Sequence, residues 1–204
     1  GVDLAEWPWV RPVLEPVTFL LAARLLREKG IVEYATAARR VKARHPQARF
    51  VLLGDLDPNP GGLTRTEVQA WVAEGLLEWP GHVEVKPWLA QTSVYVLPSY
   101  REGVPRSTQE ALAMGRPVIT TDAPGCRETV VDGENGFLVP VRDVDALAER
   151  MIRFIEQPGL IETMGRRSRQ LAEERFDVRR INARILDILG IAPVPTSANP
   201  CGVE

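Results

Sequence analysis

Histidine and cysteine are scarce in this chain, with two of each in 204 residues. His45 and His82 stand apart, and no cluster of His, Asp and Glu at metal-ligand spacing surrounds either, so no metal site is expected and both are read as structural or surface residues. Cys126 lies in the body of the chain and Cys201 near a Pro/Ser/Gly-containing end. That distribution argues against a disulfide framework and for a reducing, cytoplasmic setting. No apolar run approaches the roughly 20 residues needed to cross a bilayer, and the first residues lack the charged-then-apolar order of a signal peptide. Charge of one sign is missing too. The 25 basic and 27 acidic side chains leave a formal net charge of −2, so no overall field draws the protein to nucleic acid or to an anionic membrane. Any polyanion must be recognised locally.

What remains is the composition of one sizeable α/β domain, with 45% hydrophobic residues and enough length for a core that offsets the entropy of ordering. The chain opens with GVDLAEWPWVRP, without methionine, and is expected to be part of a larger protein.

Apolar runs alternate with helical periodicity along most of the sequence. VTFLLAAR (17–24) reads as a strand and IVEYATAARRVKAR (31–44) as a helix. The cycle recurs in RFVLLGD (49–55) and TRTEVQAWVAEG (64–75), where Thr64 and Glu67 have the spacing of a capping box. DLDPNPGG between them is a loop by composition. A strand at HVEVK (82–86), a short helix from Pro87, a strand at SVYVLPS (93–99), a helix over 106–114 and a strand at PVITTD (117–122) follow. After a short helical turn and FLVP, helices are expected over 143–157, from Leu160 and from Val178. The pattern implies an α/β fold, a Rossmann-like, doubly wound parallel sheet with C-terminal helices. In such a sheet, ligands lie beyond the carboxyl ends of the strands. The expected organisation is a linker over 1–16, the domain proper with its helical tail over 17–190, and a flexible end over 191–204.

Three loops follow strand ends and carry the chemistry. RLLREKG places Arg24 and Lys29 five residues apart, with Gly30 just before a helix. Two cations beside a helix N-terminus suit a diphosphate, although the same residues also fit a solvated turn. In SYREGVP, Gly103 and Pro105 shape a turn into a helix whose first turn holds Arg106, Ser107 and Thr108, so free backbone N–H groups face the rim. Glu102 lies in that loop and Glu110 about one turn inside the helix. Ionised carboxylates accept hydrogen bonds and can bridge adjacent hydroxyls, which suits a polyhydroxylated ligand with two sugar rings. Spacing alone fits a capping glutamate and a surface glutamate at least as well. The third loop, DAPGCRE, sets Cys126 at a helix start, where a thiol pKa can fall.

The run YVLPSYREGVPRSTQEALAMGRPVITTDAPGCRETVVDGENGFLVP resembles the donor-binding half of family 4 glycosyltransferases, which have the two-domain GT-B fold. Glu102 and Glu110 match the family's E-x7-E element with its flanks, and the upstream ARLLREKG and LLGD match in order and distance. The resemblance implies a retaining transferase and assigns the nucleotide diphosphate to Arg24 and Lys29. It assigns the ribose hydroxyls to Glu110 and the transferred sugar to Glu102, the catalytic candidate, with backbone groups of Gly103, Val104 and Pro105 alongside. A nucleotide sugar, with UDP favoured, is then the donor, and no cofactor is needed. An acceptor-binding half of the same enzyme and a glycan or lipid-linked acceptor are the expected partners, in surface polysaccharide synthesis at the inner face of the membrane. GVDL at the start resembles the hinge between the halves.

HVEVKPWLAQTSVYVLPS departs from the family pattern by running too quickly from strand to helix, in the region around Lys86 that would touch the base. PGCRE is shared with relatives acting on lipid-linked oligosaccharides and is read as a turn element. Seven arginines between Arg166 and Arg184 fit a solvated helix face, with a membrane-facing surface as the alternative. Trp7, Trp9, Trp71, Trp79 and Trp88 are read as packing residues. An epimerase or phosphorylase of the same fold, or a nucleotide-binding module without catalysis, are the rival readings.

Overall fold

The computed structural model describes residues 1–191. Cys201 and the expected flexible end, apart from Ile191, lie outside the described residues. Six strands form one parallel sheet: β1 (Thr18–Ala22), β2 (Arg49–Leu53), β3 (Glu78–Gly81), β4 (Val94–Leu97), β5 (Val118–Thr121) and β6 (Gly136–Val139). Their order across the sheet is β3-β2-β1-β4-β5-β6. The connections run one way from β1 and the other way from β4, which opens a crevice between the carboxyl ends of these two strands.

The central strands are apolar throughout because both faces are covered. Alternate residues divide between two cores. Phe19, Leu21, Phe50, Leu52, Val94 and Val96 face the core under α1 (Ile31–Arg44), α2 (Arg65–Ala73) and α5 (Val144–Glu156). Leu20, Val51, Leu53, Tyr95 and Leu97 face the core under α3 (Val85–Ala90) and α4 (Arg106–Ala113). Ile31, Tyr34, Ala35, Ala38 and Val41 form the buried stripe of α1, and its alanines let it lie close to the sheet. The capping box at the start of α2 is present: Thr64 Oγ1 accepts from the Glu67 N–H at 3.3 Å and Glu67 Oε2 accepts from the Thr64 N–H at 2.8 Å. The Thr64 N–H and hydroxyl, both donating to this carboxylate, and Arg27 beside it pull the pKa of Glu67 down to about 2. After α6 (Gly159–Leu171), a π-helical turn over Ala172–Phe176 leads into α7 (Val178–Ile188).

The third strand is corrected by four residues. It is EWPG at 78–81, and the expected strand HVEVK is instead a loop followed by the first turn of α3. As an edge strand, β3 alternates exposed and partly buried positions and tolerates Pro80, so it lacks the apolar signal that HVEVK carries. Val83 and Val85 are apolar because they pack onto the second core from the loop and helix. With the strand moved upstream, residues 82–84 separate β3 from α3.

The N-terminal segment is stitched to the domain. The Val2 N–H donates to the Phe176 carbonyl at 2.8 Å, and the Val178 N–H donates to the Val2 carbonyl at 3.1 Å. Arg169 Nη1 donates to the carbonyls of Trp7 (2.9 Å) and Ala113 (2.8 Å). The arginines of 166–184 also form ordinary surface pairs, Arg167 with Glu134 and Glu174, and Arg169 with Glu173. Among the described residues no helix is long and apolar enough to cross a membrane.

Candidate functional site

The loops after β1 and β4 meet at the crevice. In the first, Leu25 and Leu26 are buried and anchor the loop, a 3₁₀ turn covers Arg27–Lys29, and Gly30 caps α1 with φ 71°. A Cβ on Gly30 would lie 2.1 Å from the Pro98 carbonyl oxygen, so glycine is what lets the two loops touch. The Tyr100 N–H donates to the Glu28 carbonyl at 2.8 Å, and the Tyr100 hydroxyl donates to Glu33 Oε1 at 2.6 Å, bracing the second loop on α1.

Lys29 Nζ donates to Glu102 Oε1 at 2.7 Å, and the Ser99 hydroxyl donates to the same oxygen at 2.7 Å. Only 15% of the Lys29 side chain and 14% of that of Glu102 are exposed, so this pair is shielded from water far more than a surface salt bridge. The loop after β5 supports it from below: the Glu102 N–H donates to the Pro124 carbonyl at 3.2 Å. Gly125, with φ 79°, lies so close that a Cβ would be 1.6 Å from the Gly103 carbonyl oxygen.

Gly103 and Val104 are exposed, and Pro105 is the N-cap of α4. The Gln109 side chain holds the turn by donating to the Val104 carbonyl at 3.0 Å. The helix has no side-chain cap, so its first-turn N–H groups and dipole are open to an anion. Glu110 follows on the next turn. Its Oε1 accepts from Arg106 Nε at 3.0 Å, and desolvation raises its carboxyl above the ordinary range, with Glu6 adding to the effect and Arg106 opposing it.

Two clefts sharing Val85 open here. One, of about 460 Å³, is lined by Arg24, Gly54, Asp57, His82 and Val83, with Ser107 of α4. The other, of about 390 Å³, is lined by Glu6, Trp7, Glu84, Lys86 and Glu110. Lys86 stands over the Trp7 ring at 6.0 Å, so the region expected near a base borders Glu110. The Lys29–Glu102 pair lines neither cleft. Glu102 and Glu110 thus belong to one rim but have different cations and different surroundings. Arg24 is turned to Asp57, Nη1 to Oδ2 at 3.0 Å.

Three features escaped the sequence reading. Asp57 looked like a turn residue by composition, although its D-P-N context is an Asx-turn signature. Glu6 and Trp7, assigned to a linker, form part of a cleft wall. Cys126 is fully buried and its Sγ faces the Ser99 carbonyl at 3.8 Å. Burial raises its thiol pKa, in keeping with the reading of PGCRE as a turn element and not with a lowered thiol pKa. Among the described residues no three His, Cys, Asp or Glu side chains group closely enough to hold a metal.

An uncapped helix start, the two cations of the loop after β1 and two separately held carboxylates thus lie at the carboxyl ends of the central strands. Known proteins resemble this chain in sequence and fold. WcaL of Salmonella typhimurium, a glycosyltransferase assigned to colanic acid biosynthesis, is 33% identical over 201 residues, covering 93% of this chain and 49% of that protein. The sucrose-phosphate synthase of Thermosynechococcus elongatus superposes with a TM-score of 0.80 at 26% identity, over 93% of this chain and 50% of its own. The pneumococcal O-GlcNAc transferase GtfA, in complex with UDP and GlcNAc, superposes with a TM-score of 0.72 at 26% identity, over 92% of this chain and 37% of its own. The chain therefore spans about half the length of the curated relatives it matches. The family model for glycosyl transferases group 1 matches residues 16–157, and the chain belongs to that family.

Proposed function

We propose that residues 17–190 are the donor-binding domain of a retaining glycosyltransferase. The enzyme transfers a sugar from a nucleotide-diphosphate sugar, with UDP favoured, to a glycan or lipid-linked acceptor in surface polysaccharide synthesis. The observation that supports this reading is that the loops after β1 and β4 meet at the switch point, Lys29 on Glu102 at 2.7 Å, next to the uncapped start of α4, whose Ser107 shares a cleft with Arg24. Arg24, Lys29 and the α4 N-terminus take the diphosphate and stabilise the charge that develops on it as the glycosidic bond breaks. Glu110 takes the ribose hydroxyls, and the partly buried base end lies toward Val83, Val85 and Lys86. Glu102 meets the transferred sugar, with Gly103, Val104 and Pro105 alongside. UDP in the GtfA structure supports the choice of base. Residues 1–16 join this domain to an acceptor-binding half, and the assembled enzyme works at the cytoplasmic face of the membrane.

Calorimetric titration of the 204-residue chain with UDP, GDP, ADP and UDP-sugars tests the proposal. One nucleoside diphosphate is expected to bind with a Kd between mM and μM, about −4 to −8 kcal/mol, and Lys29→Ala and Glu110→Ala are both expected to weaken it. Equal binding by both variants would remove these residues from the site. Nucleotide binding with no discrimination among attached sugars, in a protein carrying both halves, would favour a non-catalytic module.

A further inference from the structure

The loop over residues 55–63 is a strap laid across the Arg24 loop. The Leu25 N–H donates to the Asp55 carbonyl at 3.0 Å, the Arg27 N–H to the Gly61 carbonyl at 2.9 Å, and the Leu63 N–H to the Leu25 carbonyl at 2.8 Å. Leu25 pairs with Leu56 and Leu26 with Gly62 in isolated bridges. The strap holds one side chain rigidly. Asp57 Oδ1 accepts from the Asn59 N–H at 3.0 Å and from Asn59 Nδ2 at 2.6 Å, which leaves Oδ2 facing Arg24 Nη1 at 3.0 Å. The Asp57 side chain is 6% exposed, whereas that of Arg24 is 68% exposed. The Asn59 N–H, assisted by Arg24, holds the Asp57 carboxyl below its usual range and therefore ionised at neutral pH.

A guanidinium has five N–H donors in a fixed fork, and Asp57 engages one nitrogen of it. The remaining donors stay open to the cleft that Arg24 and Asp57 line together. A long, exposed side chain without such a partner would lose its rotamer freedom only on meeting the ligand, at a cost to affinity.

We propose that Asp57 is a positioning residue: by holding one edge of the Arg24 guanidinium against the strap, it presents the other edge to the diphosphate of the ligand. This rests on the donor-site reading above. Asp57 makes no contact with the ligand and acts through Arg24 alone.

The test is a double-mutant cycle in the 204-residue chain with Asp57→Ala, Asp57→Asn, Arg24→Ala and the Arg24→Ala/Asp57→Ala double variant. The probe is whichever of UDP, GDP and ADP binds the unmodified chain most tightly. Asp57→Ala is expected to weaken binding about tenfold. Asp57→Asn, whose one carbonyl oxygen cannot accept from both Asn59 and Arg24, should recover only a small part of that loss. In the Arg24→Ala background, Asp57→Ala should have no further effect. Unchanged or tighter binding by Asp57→Ala overturns the proposal, because the carboxylate would then be idle or competing with phosphate. So does an equal loss in both backgrounds, which would mark a merely structural role. If Arg24→Ala itself binds like the unmodified chain, the donor-site reading falls as well. If Arg24→Ala weakens binding and Asp57→Ala does not, only the role of Asp57 falls.

Discussion

Lys29 and Glu102 are 73 residues apart in sequence and 2.7 Å apart across the switch point of the sheet. Their contact ties the loop after β1 to the loop after β4, and each is mostly shielded from water. Removing one member leaves the other charge poorly solvated. Lys29→Ala is therefore expected to destabilise the fold by about 2 kcal/mol, less than the ~3–5 kcal/mol of a fully buried pair. The Lys29→Ala/Glu102→Gln double variant should lose less than the sum of the single changes. Urea unfolding of the three variants checks this; strict additivity would mean that the pair is not coupled.

Glu110 gives the site a pH dependence. Its folded-state pKa is raised by desolvation, so above the ordinary glutamate value of about 4.3 the folded protein still holds a proton that the unfolded chain has released. Stability contributed by this group is greatest below that value and falls as pH rises through the raised one. Nucleotide binding should move the opposite way, because the ionised carboxylate is the better acceptor for hydroxyls. Affinity is expected to decline on acidification before ordinary glutamates titrate, and Glu110→Gln should flatten the decline. A pH profile of Kd that is identical in the variant would remove Glu110 from the ligand.

Gly125 and Gly133 both have φ 79°, but a Cβ on Gly125 would overlap the Gly103 carbonyl while a Cβ on Gly133 would meet nothing within 4 Å. Alanine at either position incurs the left-handed backbone cost of about 1–2 kcal/mol. Only Gly125→Ala must also push away the loop carrying Glu102. Its melting temperature should fall further than that of Gly133→Ala, and nucleotide binding should be lost in it alone. Matching effects in the two variants would show that the close approach has no role in the site.

Arg116 is completely buried. Its Nη1 donates to the Thr92 carbonyl at 2.8 Å and its Nη2 to the Val10 carbonyl, while Nε has no partner. Burial lowers its pKa to about 10, so it remains a cation at neutral pH. It therefore fastens the N-terminal segment to the start of β4 with charged hydrogen bonds. Arg116→Met keeps an apolar stem without the donors, and amide exchange at Val2 and Val10 should accelerate about tenfold or more, as expected for losing one such bond. Exchange in α1 should not change. Unaltered protection at Val10 would mean that the segment is held by Arg169 and its own backbone bonds.

The sequence made some of this site legible and hid the rest for identifiable reasons. Arg24, Lys29, Glu102 and Glu110 could be singled out because the local runs that carry each pair resemble a family pattern with its flanks; their spacing alone fits a solvated turn, a cap and a surface glutamate as well. The strand at 78–81 was hidden because alternation of apolar residues reports burial, not strand geometry, and an edge strand is only half buried. HVEVK showed the alternation because its valines reach the core from a loop and a helix. For Cys126 the sequence offered both a turn element and a lowered thiol pKa at a helix start; desolvation, which no short motif encodes, raises the pKa instead.

The order of strands and helices, the loops that end on the rim and the charged residues in them follow from patterns a few to twenty residues long, and the sequence by itself determined them. The tertiary structure alone decided which charge meets which: Lys29 with Glu102, Arg24 with Asp57, and Arg169 with the carbonyl of Trp7. These partners come from segments brought together by strand order and register. A long-range contact depends on the packing of the whole sheet, and no local run of residues carries that information.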